Sequence, residues 1–160
     1  MKLGLAIREL HRSETSLAKD LVKVADRHAV EHEVHHVAHD LARWSQDHVR
    51  ALADAARSYD VHLSGDVPAP SKPVEAIRAT VAELSGRRPE PGVLLLADLR
   101  RLHRQAAGVS LDWELLAQGA QAVKDPDLLD LAGRCHPQTL RQLKWANAML
   151  KILSPQVLAS

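Results

Sequence analysis

Apolar residues recur at helical spacing through most of the chain. The series Leu3, Ile7, Leu10, Leu17, Leu21, Val24 steps by three, four or seven, with Glu14 standing where an apolar residue is due and His28 closing the run. That is the pattern of an amphipathic helix over about 3–28. A second series, Val30, Val34, Val37, Leu41, Trp44, His48, Leu52, Ala55, is shifted by one residue, since the first phase would continue at 31, 35 and 38. The shift predicts a tight turn at 28–30 and a second helix over about 30–58. No Gly or Pro marks the turn, so one unbroken helix over 3–58 is the competing reading.

After Tyr59 the stretch DVHLSGDVPAPSKP, with three prolines and a glycine, stops regular structure. It opens a long crossover, within which a short helix is predicted over 72–85: Ser71 as N-cap, Pro73 in the first turn, Val74, Ile77, Val81 and Leu84 as its stripe, Gly86 at its end. A third long helix, 91–123, carries Leu95, Leu99, Leu102, Ala106, Val109, Trp113, Leu116, Ala120 and Val123, with Asp98 on its shoulder. Asp125-Pro126-Asp127 supplies a cap, a pre-set first residue and an acid near the positive end of the dipole. The fourth helix, 126–153, reads Leu129, Ala132, His136, Thr139, Leu143, Ala146, Leu150, Leu153, with a kink expected at Pro137 and a stop at Ser154-Pro155. The fold expected is all-α: a four-helix antiparallel bundle forming one domain over 1–160.

Composition narrows the function classes. The chain is 46% apolar, without Phe and with only three Trp and one Tyr, so its core must be Leu, Val and Ala, which suits closely spaced helices. Charged residues, 26% of the chain, nearly cancel to a net +1, which leaves no field to gather nucleic acid or an anionic membrane. No run approaches the length of a membrane span, and a single Cys excludes an intrachain disulfide. Arg8 and Glu9 interrupt what would have to be the apolar stretch of a signal peptide, so a cytoplasmic protein is expected.

Three polar residues fall inside apolar stripes: Glu14, His48 and His136. Counting about 1.5 Å per residue from the turns puts all three within roughly one helical turn of a common level. Two imidazoles and a carboxylate could hold a divalent metal, Fe, Zn or Mn, with open positions and Asp98 as a weaker further ligand. Equally, Glu14 could accept from a histidine in a trio that only fixes the register of the core. Trp44 and Trp113, at the same level, either fill the core or wall a pocket.

The run VEHEVHHVAHD contains His32-Glu33-Val34-His35-His36, a literal His-Glu-x-x-His, yet carries it on the helix's polar side and lacks the sheet of a zinc protease. His28, His32, His35 and His39 form a stripe opposite the valines, read as a solvated face, with a contact between subunits of a homo-oligomer or an adventitious metal patch as the alternatives. Trp145, off its helix's stripe, is a further interface candidate, and Cys135 a small residue at the core's edge.

Two short turns separated by a long crossover resemble the connectivity of the ferritin-like four-helix-bundle superfamily, over nearly the whole chain. That resemblance implies a carboxylate from each of two helices and a Glu-x-x-His pair from each of the others. Here Glu14 stands on the first helix, Glu33 and His36 on the side and back of the second, Asp98 and Glu114 off the stripe of the third, and no Glu on the fourth. Two functions follow as alternatives. One is a bundle with an interior Glu/His metal site doing redox or metal-binding work. The other is a non-catalytic bundle acting through self-association or partner binding, its interior trio purely structural.

Overall fold

A computed structural model describes residues 2–69, 86 and 90–160. Among these there are four α-helices and no strand: α1 (Leu3–Arg27), α2 (His32–Ala56), α3 (Pro91–Ala122) and α4 (Pro126–Ala159), with a 3-10 turn at Arg57–Tyr59 after α2. The helix expected over 72–85 lies outside the described residues. No helix among the described residues is long and apolar enough to cross a membrane.

The first turn is real, and the unbroken helix over 3–58 is excluded. His28 leaves helical geometry at φ −112°, ψ 41°, and Glu31 is extended. With no Gly or Pro present, the break is held by side chains: His28 is buried against Asp98 of α3 instead of continuing the helical surface. Val30, predicted to start the second stripe, sits in this turn and is 85% exposed. The second turn follows its signals, with Asp125 Oδ1 accepting from the Leu128 N–H at 3.0 Å and Pro126 opening α4. The stop expected at Ser154-Pro155 is overturned, because α4 runs on to Ala159. Pro155 removes only one bond to a carbonyl four residues back, on a last turn with exposed faces, so helical geometry survives it.

Paired residues give the helix registers. Between α1 and α2, Glu14 meets His48 and Asp26 meets His39; between α1 and α3, Glu14 meets Trp113 and Arg27 meets Asp98; between α2 and α4, Ser45 meets Gln142 and His48 meets Gln138. In each pair one number rises as the other falls. The start of the crossover turns back along α1: Val61 lies against Gly4, and the Ser64 carbonyl accepts from His11 Nε2 at 2.7 Å. A Cβ on Gly119 would come within 2.7 Å of Leu3 Cδ1, so the missing side chain lets the start of α1 close on α3.

The core is leucine-rich, with Ile7, Leu10, Leu17, Leu21, Leu52, Leu99, Leu102 and Leu116 among its largest fully buried members and Trp113 its one fully buried aromatic. Polar groups cross it at several levels. Asp98 with His28 and Arg27 lies near the α1–α2 turn, Gln142 with Ser45 and the Leu41 carbonyl lies deeper, and Glu14 with His48 lies deeper still.

Candidate functional site

Glu14 and His48 meet in the core. Glu14 is wholly buried on α1, and its Oε1 accepts from His48 Nδ1 at 2.9 Å and from the Trp113 indole N–H at 2.9 Å, with Thr139 Oγ1 at 3.5 Å. His48 Nε2 faces Gln138 Oε1 at 2.7 Å, and the imidazole stands edge-on to the Trp113 ring, centroids 5.7 Å apart. Helical periodicity assembles this group, since Glu14, His48, Trp113 and Thr139 each occupy a position that would otherwise be apolar.

Both ring nitrogens of His48 point at oxygen acceptors, which calls for a proton on each. Burial alone would lower its pKa; the adjacent Cys135 and the Glu14 carboxylate outweigh burial and push it up to about 10. His48 is thus an imidazolium paired with a carboxylate in a low-dielectric interior. Glu14 Oε2, buried, has no hydrogen-bond partner among the described residues.

His136 does not join them. It lies partly exposed on the side of α4, its Nε2 2.8 Å from Ser110 Oγ and its Nδ1 3.8 Å from Glu114 Oε2, with 22% of the side chain accessible. The cause is the phase of α4. Its buried positions are Leu128, Leu131, Ala132, Cys135, Thr139, Gln142, Ala146 and Met149, so the stripe leans one residue back from that predicted through Leu129, His136 and Leu143. Gln138 and Thr139 stand where His136 was expected, and nothing in the apolar pattern distinguishes Gln138.

Asp98 is buried and accepts from both Arg27 and Arg101 at 3.1 Å and pairs with His28 Nε2 at 2.7 Å. Burial would raise its pKa, but the His28 contact and the two guanidiniums hold it below the usual carboxylate range. Its oxygens are thus engaged by cations of the chain itself. His28 is buried in this network and is removed from the surface stripe, whereas His32 is exposed and His35 and His39 are partly so. Trp44 is half-buried against the core. Trp113 is a hydrogen-bond donor to Glu14 in full burial, not a pocket wall. Trp145 is half-buried against the core with its Nε1 enclosed, so it is not a freely exposed indole.

The interior donor set can be judged chemically. A ligating histidine needs a free nitrogen lone pair, and both nitrogens of His48 are already engaged, by Glu14 Oε1 and Gln138 Oε1. Glu14 Oε2 is one free donor atom, and His136, the second imidazole required, is bonded elsewhere. The group fits a buried ion pair with its hydrogen-bond shell better than a metal centre. An open cleft of about 350 Å³ lies toward the other end of α2, lined by residues that include Ala55, Tyr59, Asp125, Leu131 and Arg134. Within it the Tyr59 hydroxyl donates to Asp125 Oδ2.

No family model, no curated protein and no solved structure matches this chain.

Proposed function

We propose that the chain is a non-catalytic helical bundle of ferritin-like connectivity that works by self-association, with the Glu14–His48 network serving the fold. The descending residue pairs support an order in which α1 and α4 run one way and α2 and α3 the other, with the start of the connection after α2 turned back along α1. The interior group supports a structural role because its imidazole is engaged at both nitrogens and enclosed by Glu14, Gln138 and Trp113.

One observation carries the assembly reading. Leu111 and Leu115, one turn apart on α3, are 66% and 67% exposed. Helical geometry sets them on the side opposite buried Trp113. Two large apolar side chains adjacent on an outward face are a stronger signal than scattered ones. A two-fold contact would set Leu111 of one protomer against Leu115 of the other, and the converse, which is the self-complementary arrangement of a homodimer. A net charge of +1 opposes this little.

Sedimentation velocity on the untagged protein tests it. The expected result is a dimer at tens of micromolar, converted to monomer in L111S/L115S with the helical circular dichroism retained. A monomer at that concentration, or a dimer indifferent to the double substitution, would overturn the reading.

A further inference from the structure

A second group of imidazoles and a carboxylate gathers near the α1–α2 turn, apart from the interior network and independent of assembly. Asp26, in the last turn of α1, and His35 and His39, one turn apart on α2, each bring a ligand atom within 4.8 Å of the others. His39 Nε2 and Asp26 Oδ1 are hydrogen-bonded at 3.0 Å, a contact at the open surface whose proton a bound cation would displace. That distance is roughly the separation of two donors sharing one cation through bonds of ~2.1 Å. His35 Nδ1 lies 2.8 Å from the carbonyl oxygen of Ala25. A carbonyl only accepts, so Nδ1 is the donor, and in the neutral ring Nε2 is the nitrogen left to bind a cation. Backbone orientation of this kind, through the nitrogen that does not bind, is how ligating histidines are held ready. Asp26 is exposed and both histidines partly so, which lets a cation enter and water complete its coordination.

We propose that Asp26, His35 and His39 form a binding site for one divalent first-row cation of borderline softness, with Zn²⁺ the probe. Two imidazoles and a carboxylate select that class over Ca²⁺ or Mg²⁺, which take oxygen ligands. The cation would bridge α1 and α2 across a turn that has no glycine, no proline and, at the α2 N-cap Glu31, no side-chain cap. His36 is the rival ligand, its ring 5.1 Å from that of His35, and His32 lies one turn away from it.

The test uses the untagged full chain, titrated with Zn²⁺ by calorimetry against a competing chelator. One equivalent is expected, with affinity falling at least roughly tenfold in H39Q and in D26N and staying near wild type in H32Q/H36Q. All four positions lie at the surface, and thermal unfolding without metal checks that each variant folds. The midpoint should rise on adding Zn²⁺ to the wild type and not to H39Q. Binding that survives H35Q and H39Q, binding lost equally in H32Q/H36Q, or no stoichiometric uptake at tens of micromolar Zn²⁺ would each overturn the site.

Discussion

Trp113 donates its indole N–H to Glu14 Oε1 at 2.9 Å, across the α1–α3 contact and in complete burial. The same oxygen accepts from His48 Nδ1. One carboxylate atom therefore joins three helices, and its charge balances the imidazolium. Glu14→Gln keeps an oxygen for the indole but removes that charge. Leaving His48 uncompensated should cost about 3–5 kcal/mol of stability. In a cycle with His48→Gln, the double variant should lose less than the sum of the singles, with a coupling of about 1–3 kcal/mol. Urea unfolding of the four proteins measures it, and additive losses would mean that the two residues do not act as a pair.

The same pair gives stability a dependence on alkaline pH. His48 has a folded pKa raised to about 10, above its unfolded value of 6.5. Its contribution is therefore complete below pH 6.5, shrinks as pH rises, and is gone above about 10. The wild type should lose stability across that window with a slope of at most ~1.4 kcal/mol per pH unit from this group. Subtracting the profile of His48→Gln isolates the effect from the other titrating groups. Parallel profiles for the two proteins would contradict a buried imidazolium.

Much of this arrangement was legible in the sequence, and what was not has a physical reason. Glu14 and His48 each interrupt an apolar series at helical spacing, and a polar residue in a stripe has to be buried with a partner. The turn after Arg27 showed itself as a one-residue phase shift, although its cause, His28 reaching Asp98 on a helix about 70 positions away in sequence, has no local signature. The phase of α4 was harder to read. Ala132, Thr139 and Ala146 belong to two overlapping stripes, one flanked by Leu129, His136 and Leu143, the other by Leu131, Cys135, Gln142 and Met149. Hydrophobicity favours the first, while packing chose the second and buried Gln142, whose Nε2 reaches Ser45 and the Leu41 carbonyl at 2.9 Å each. An amide on a core face is visible only once the neighbouring helix supplies its acceptors. Hence the apolar pattern alone turns His136 inward and gives no sign of Gln138, which contacts His48.

Asp98 anchors the opposite polar level, and its loss should be felt in acid. Arg27 and Arg101 are 39% and 48% exposed, so solvent screens most of what they add, and His28 at 2.7 Å is the main partner. Asp98→Asn should destabilise the fold by about 3 kcal/mol near neutrality, since it removes the buried carboxylate to which His28 and the two guanidiniums are bonded. The folded carboxyl titrates below its unfolded value of 3.8. Its contribution is thus present above pH 3.8 and disappears as pH falls through the lower, folded value. Acid unfolding followed by circular dichroism should begin from lower stability in the variant and show a shallower dependence between pH 5 and 2. An unchanged acid limb would assign that dependence to other carboxylates.

At the far end of the bundle, Asp125 holds two elements at once. Its Oδ1 caps α4 through the Leu128 N–H at 3.0 Å, and its Oδ2 accepts from the hydroxyl of Tyr59, in the 3-10 turn after α2. Asp125→Ala should cost about 1–2 kcal/mol through the lost cap and the lost tie together. Tyr59→Phe, which removes only the tie, should cost about 1 kcal/mol. Tyr59 is the single tyrosine of the chain, so its phenolate can be followed directly by ultraviolet absorbance. Burial and the Asp125 carboxylate push its pKa up to about 12. The titration midpoint should fall back toward 10 in Asp125→Ala, because the repelling charge that opposed the phenolate has gone. Equal midpoints in the two proteins would show that the hydroxyl and the carboxylate are not bonded in solution, and the cleft that they line would then open between α2 and α4.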